Sequence, residues 1–192
     1  MVRYNAVEDP LCYPGTHVLR NKADIEDQDE LDEFEQLMFD SRAGETLPDG
    51  DLDFTHYRAL HRHFFQDVYE WAGEPRAIRT GKGDNWFCYP EYIEREAENL
   101  FAALAARTYL ADAESKDAFA TGAAWFLGEL NAIHPFREGN GRIQLVFLTM
   151  LARNAGYELD EDKLRPKPFL EAMIESFTGD IASLASEILR LI

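Results

Sequence analysis

Apolar positions along this chain recur mostly at three- and four-residue spacing. Leu31, Phe34, Leu37 and Met38 share one face of an acidic stretch over residues 24–40, which predicts a half-buried helix. Tyr57, Leu60, Phe64, Val68 and Trp71 carry the same period over residues 54–71, and Gly73 and Pro75 end it. Further stripes follow: Ile93, Ala97, Leu100, Phe101 and Leu104; Phe119, Ala123, Phe126, Leu127 and Leu130; Ile143, Val146, Phe147, Met150 and Leu151; then Phe169, Met173, Ile174 and Phe177 behind Pro166 and Pro168. Residues 181–192 repeat the pattern weakly. One region departs from it. Ala77-Ile78-Arg79-Thr80 and Trp86-Phe87-Cys88-Tyr89 flank Gly81-Lys82-Gly83-Asp84-Asn85, two strand-like runs about a glycine-rich turn, which predicts a β-hairpin. The expected fold class is all-α, a helical bundle carrying one short hairpin.

Composition narrows the organisation. The chain has 192 residues, 46% of them hydrophobic and 29% charged, with no internal repeat or low-complexity linker, which suits one domain with a sizeable core. Residues 1–20 are expected to be irregular, because Pro10, Pro14 and Gly15 interrupt them. Residues 1–50 then form an N-terminal extension with the first helix, and residues 51–192 the core. The formal net charge of -17 disfavours steering toward nucleic acid or an anionic membrane and favours a basic partner surface. Cys12 and Cys88 sit among apolar and aromatic neighbours and are read as packed thiols rather than a disulfide framework. With no signal segment or spanning-length apolar run, a cytoplasmic location is expected, with export by a route that reads no N-terminal signal as the alternative.

Candidate chemistry is concentrated in Ile133-His134-Pro135-Phe136-Arg137-Glu138-Gly139-Asn140-Gly141-Arg142, between two of the helical stripes. Pro135 disfavours helical geometry at His134 and places the imidazole at a helix exit, in a tight loop. Gly139 and Gly141 let the backbone bend and approach a ligand. The following helix points its unpaired N–H groups back at that loop, which suits phosphate. His134 can take a proton from an attacking hydroxyl. Glu138 offers a hard oxygen to Mg²⁺, which needs one or two carboxylates when nucleotide phosphates supply the rest. Asn140 can donate its amide to a phosphate oxygen, and Arg142 can neutralise phosphates. Together these residues point to phosphate chemistry, which asks mainly for positioning and charge neutralisation.

The segment resembles the signature of the Fic family, H-x-F-x-[D/E]-G-N-G-R-x-x-R, and matches every specified position through Arg142. Tyr13-Pro14-Gly15-Thr16, Asn21-Lys22, the run Phe65-Gln66-Asp67-Val68-Tyr69-Glu70-Trp71-Ala72-Gly73, and Phe87-Cys88-Tyr89-Pro90 are also similar to family segments. The resemblance implies AMP transfer from ATP to a Tyr, Thr or Ser hydroxyl of a target protein. His134 would be the base, Glu138 the Mg²⁺ ligand, and Gly139, Asn140, Gly141 and Arg142 the phosphate cradle in a motif loop over residues 134–145. The hairpin, residues 76–90, would be the family's flap. Lys82 and Gly83 would join the nucleotide site, and Ile78, Arg79 and Thr80 would dock the target by strand-like pairing. The family's second arginine, which helps hold the terminal phosphates, falls at Leu145. Two alternatives therefore stand beside AMP transfer: a different donor nucleotide, or a binding-only relative that keeps the flap as a docking edge.

The remaining polar residues carry less. His61 and His63 would lie about 200° apart on a helix and cannot chelate one ion, so His56, His61 and His63 are read as surface or packing residues. In the family an inhibitory helix with [S/T]-x-x-x-E-[G/N] can engage the second arginine. Ser183 to Glu187 and Ser41 to Glu45 match its first part only. A separate antitoxin-like inhibitor protein is the other regulator that the resemblance implies.

Overall fold

Short polar caps start the first helices. In the computed structural model, which describes residues 9–82 and 85–192, Asp27 accepts the N–H groups of Asp29 and Glu30 and opens α1 (Gln28–Ala43). Asp53 accepts the His56 N–H at 2.7 Å and opens α2 (Phe54–Phe65). The antiparallel strands β1 (Gly81–Lys82) and β2 (Asn85–Trp86) follow, then α3 (Ile93–Ala105). Ser115 caps α4 (Lys116–Ile133), the motif loop leads to α5 (Asn140–Asn154), and α6 (Pro166–Ser176) and α7 (Ala182–Leu191) complete the order. The all-α expectation holds, with the hairpin as the only paired strands among the described residues.

The helix α4 lies at the centre, against α3, α5, α6 and α7. Its Phe119, Ala123, Phe126, Leu127 and Leu130 are all fully buried. Aromatic rings extend this core beneath the motif loop. Phe126 meets Phe101 edge-on, Phe101 meets Phe147, Tyr57 stacks on Phe136, and Phe136 stacks on His61 with centroids 3.8 Å apart. Each such pair adds roughly 0.5–1.5 kcal/mol beyond its buried area.

Three expectations are corrected in detail. The second helix ends at Phe65 rather than near Trp71. Its apolar period runs on, and Val68 and Tyr69 are indeed buried, but tertiary bonds outcompete the helical ladder. The Lys22 N–H takes the Val68 carbonyl at 2.9 Å, and Asp67 turns outward to a bidentate pair with Arg42. On α1 the buried face includes Leu31 and Glu35, whereas Leu37 is 62% exposed. Among the described residues of the hairpin the only ladder pairs are Gly81 with Trp86 and Lys82 with Asn85, inside the expected turn, followed by a Phe87 N–H bond to the Thr80 carbonyl. The expected strands 77–80 and 86–89 are instead held largely by the rest of the protein, as described below.

The start of the described chain is better ordered than its prolines suggest. Cys12 and Leu19 form an isolated antiparallel bridge, and Asp9 reaches across to Arg137 in the motif loop. Cys12 and Cys88 are both free thiols, each half-buried. No helix among the described residues is long and apolar enough to cross a membrane.

Candidate active site

The exit of α4 puts His134 in an uncommon conformation. Its φ of 50° and ψ of 64° lie in the left-handed region, and the residue closes the helix through its N–H to the Leu130 carbonyl at 2.9 Å. For a residue with a Cβ this geometry costs about 1–2 kcal/mol and needs support from its surroundings. Pro135 keeps His134 out of the helix, as its sequence position implied, but toward left-handed rather than extended backbone. The imidazole is buried, 6% exposed, and lies parallel to the Phe87 ring, with centroids 3.8 Å apart and planes 2° from coplanar. Phe177 meets the other ring of that stack edge-on.

Beyond Pro135 the loop is closed from inside. Asn140 is 1% exposed; its Oδ1 accepts the Phe136 N–H at 3.0 Å and its Nδ2 donates to the Phe136 carbonyl at 2.8 Å. The side-chain amide offered to a phosphate in the sequence reading is therefore engaged in holding the loop. The main-chain N–H of residue 140, with those of Gly141 and Arg142, has no partner within α5. Gly139 precedes the helix with φ 80°, and a Cβ there would sit 2.3 Å from the Phe65 ring. Glycine is required at that position by both backbone and packing. At Gly141 a Cβ would meet nothing within 4 Å, so open space lies over the first turn of α5.

Charge around the loop is tightly paired. The Glu138 Oε1 accepts the Gly139 N–H at 2.9 Å and lies 3.8 Å from Arg142. Burial pushes the Glu138 carboxyl above the usual carboxylate range, and the neighbouring Glu35 carboxylate adds to the rise. Arg142 lies over the Phe65 ring and forms an ion pair with Glu35, which also accepts the Tyr69 hydroxyl. Arg137 is in a buried pair with Asp9 at 2.6 Å. Leu145 is half-buried, on the wall of a groove of about 840 Å³ that Arg142 also lines.

His61 supports the loop from below. Its Nδ1 accepts the Gly73 N–H at 2.9 Å, which fixes the tautomer, so Nε2 donates to the Glu138 carbonyl at 3.0 Å. Burial depresses its pKa to about 3. His56 and His63 likewise bond to the main chain, at Pro48 and Arg42, in keeping with packing roles.

In the hairpin, Thr80 is buried and its carbonyl accepts the Phe87 N–H, while Ile78 and Arg79 reach the surface. Arg79 lies over the rings of Tyr89 and Trp86. The expectation for Gly83 falls outside the described residues, as does the Lys82 side chain. Sequence reasoning missed Glu35 and Arg76, and it placed His61 among surface or packing residues without its bond to the motif loop. Glu35 left one trace, a charge inside the apolar face formed by Leu31, Phe34 and Met38. The other two act on main-chain carbonyls, which no sequence pattern marks. Of the two inhibitor-like matches, Glu187 pairs with Arg165 and Arg190, and Glu45 with Arg42.

Residues 51–152 match the model of the Fic/DOC family. The chain is 81% identical over 192 residues to the probable protein adenylyltransferase y4lH of Sinorhizobium fredii, spanning 100% of both. It is 34% identical to the probable protein adenylyltransferase Fic of Escherichia coli K12, across 95% of this chain and 91% of that one. Among solved structures, the N-terminal Fic domain of a putative cell filamentation protein from Bartonella quintana, with bound ADP, superposes with a TM-score of 0.84 at 26% identity, over 94% of this chain and 93% of that one.

Proposed function

Because the chain belongs to the Fic/DOC family, we propose that it is a protein adenylyltransferase, moving AMP from ATP to a Tyr, Thr or Ser hydroxyl of a target protein. The observation that carries this reading is the loop between α4 and α5, where a buried left-handed histidine stands next to a glycine-led helix N-terminus and a carboxylate. The nucleotide's phosphates would lie over the first turn of α5, in the space that a Cβ at Gly141 would enter freely. Glu138, its side chain 19% exposed and one oxygen steadied by the Gly139 N–H, suits a magnesium ion. Mg²⁺ bound there and to the phosphates would neutralise their charge. His134 accepts the proton of the target hydroxyl as that oxygen bonds to the α-phosphorus. The bond from this phosphorus to the oxygen bridging to the β-phosphate breaks, and pyrophosphate leaves. Residues 78–80 of the flap would hold the target, and Lys82 and Gly83 are nucleotide contacts on the family resemblance alone.

The test uses ATP labelled at either end. With a lysate that contains the target, label at the α-phosphate should enter protein and label at the γ-phosphate should not. His134→Ala should fold as the parent does and lose on the order of 10²–10⁴ in rate. A folded His134→Ala protein that transfers at the parental rate would remove His134 from the mechanism.

A second reading, a donor other than ATP, is favoured by the charge pairing. Arg142 is already bound by Glu35, and Leu145 brings no cation to the groove they share. Glu187 and Glu45 are paired elsewhere, so a separate antitoxin-like protein is the regulator we propose.

A further inference from the structure

The flap and the histidine loop share one buried side chain. Arg76 is 3% exposed, and its guanidinium is spread over four main-chain carbonyls. Nε donates to the His134 carbonyl at 2.8 Å and Nη1 to that of Ile78 at 2.7 Å. Nη2 donates to Cys88 at 2.6 Å and to Ile133 at 3.2 Å. Two main-chain bonds run alongside: the Arg76 N–H to the Pro135 carbonyl at 2.8 Å, and the Cys88 N–H to the Ala132 carbonyl at 3.0 Å. The two flap arms, at Ile78 and Cys88, and the exit of α4, at Ile133 and His134, are thus gathered on one planar group.

This arrangement answers two needs that the surrounding structure leaves open. The hairpin ladder covers only Gly81–Lys82 and Asn85–Trp86, so beyond the Thr80–Phe87 bond the arms have no ladder to set their separation. His134 is left-handed, and its carbonyl direction is part of that conformation. Arg76 fixes that carbonyl. By holding Cys88 it also seats the adjoining Phe87 ring against the imidazole. An aliphatic residue could fill the same volume but would leave these carbonyls unbonded in the interior. Lysine could not replace the fork, because its three donors leave one nitrogen and cannot span carbonyls of different segments.

We propose that Arg76 is a positioning residue for the transfer reaction: it holds the His134 imidazole and the target-docking flap in fixed register, so that a hydroxyl presented by the flap meets the base. The inference rests on the reading of His134 as base and residues 76–90 as flap. These bonds of Arg76 go to the flap arms and to the exit of α4 rather than to the first turn of α5, and the hairpin tip that carries Lys82 keeps its own pairing of Gly81 with Trp86 and Lys82 with Asn85, so Arg76 acts on chemistry and target presentation more than on nucleotide affinity.

The experiment compares the parent with Arg76→Lys and Arg76→Met. Folding is followed by circular dichroism, ATP affinity by calorimetry, and kcat and KM by AMP transfer to the target. Both variants should bind ATP within about threefold of the parent, because the phosphate cradle is untouched. Their kcat should fall on the order of 10²-fold, the usual effect of misplacing a reacting group by about an ångström. Lysine should rescue no better than methionine. A folded variant with parental kcat, or one that loses ATP affinity in step with kcat, overturns the proposal. Amide hydrogen exchange on the unmodified protein gives a second decision that no folding failure can spoil. The amides of Arg76 and Cys88, bonded to the Pro135 and Ala132 carbonyls, should share one level of protection, because one clip opens them together. Cys88 exchanging freely while Arg76 stays protected overturns the proposal as well. A parent with no transfer activity toward any protein defeats the reading of His134 as base, and the exchange data still decide whether Arg76 joins flap to loop.

Discussion

His61 shows how much one side chain beneath the surface sets the site above it. It receives a hydrogen bond from Gly73, donates one to the Glu138 carbonyl, and stacks on Phe136, all as a neutral ring. Its pKa falls from 6.5 to about 3 through burial, so between those values the unfolded chain binds a proton that the folded chain refuses. Stability should therefore decline as pH falls below about 6.5, with this residue adding up to about 1.4 kcal/mol per pH unit. Urea unfolding of metal-free His61→Gln should give a shallower decline than the parent over that window; an unchanged slope would mean that the ring is protonated in the folded protein. Leu145 poses the opposite question, a site short of a charge. It lies half-buried beside the Arg142 groove, where Leu145→Arg would add a cation one helical turn on. We expect that variant to bind ATP more tightly relative to ADP than the parent does, by about tenfold for one added charge-assisted contact of roughly 1.5 kcal/mol. Calorimetry with both nucleotides checks it, and an unchanged ratio in a folded variant would show that the leucine only packs.

Among the elements, the helices were the most legible part of the sequence and their ends the least. The stripes on α3 and α4 were read correctly residue by residue, because those helices bury one continuous face. The reading of α2 ran too long, since Val68 and Trp71 keep the helical period while Lys22 and Arg42 claim the local hydrogen-bonding groups. The hairpin was placed correctly and its strands were not, because Arg76 and Ala132, rather than a ladder, hold the arms. The helix α1 illustrates what a stripe conceals. Its Glu35, with a side chain 4% exposed, accepts the Tyr69 hydroxyl and pairs with Arg142, so α1 is docked by a carboxylate as well as by Leu31. Glu35→Ala would leave a buried hydroxyl and a cation without this partner. It should lower the unfolding free energy by about 3 kcal/mol in denaturant titration, with little change in m value. A loss under about 0.5 kcal/mol would mean that α1 is held by its apolar face alone.

On the scale of the whole molecule, the motif made the His134–Arg142 segment stand out, but not its supports. Those arrive from remote parts of the chain: Asp9 on Arg137, Glu35 on Arg142, His61 on the Glu138 carbonyl and Arg76 on that of His134. Each is a contact between sequence-distant residues, so no local pattern could announce it. The nine-residue span from His134 to Arg142 is accordingly short in sequence and wide in its dependencies. The parallel stack of Phe87 on His134 has a further consequence. A proton on the imidazole that faces a benzene ring at that separation sits in the ring's magnetic shielding cone, and its nuclear resonance is displaced upfield. That displacement fades steeply as the rings part or tilt. The molecule thus carries its own gauge of how closely the flap lies on the histidine, legible in a proton spectrum without any label attached.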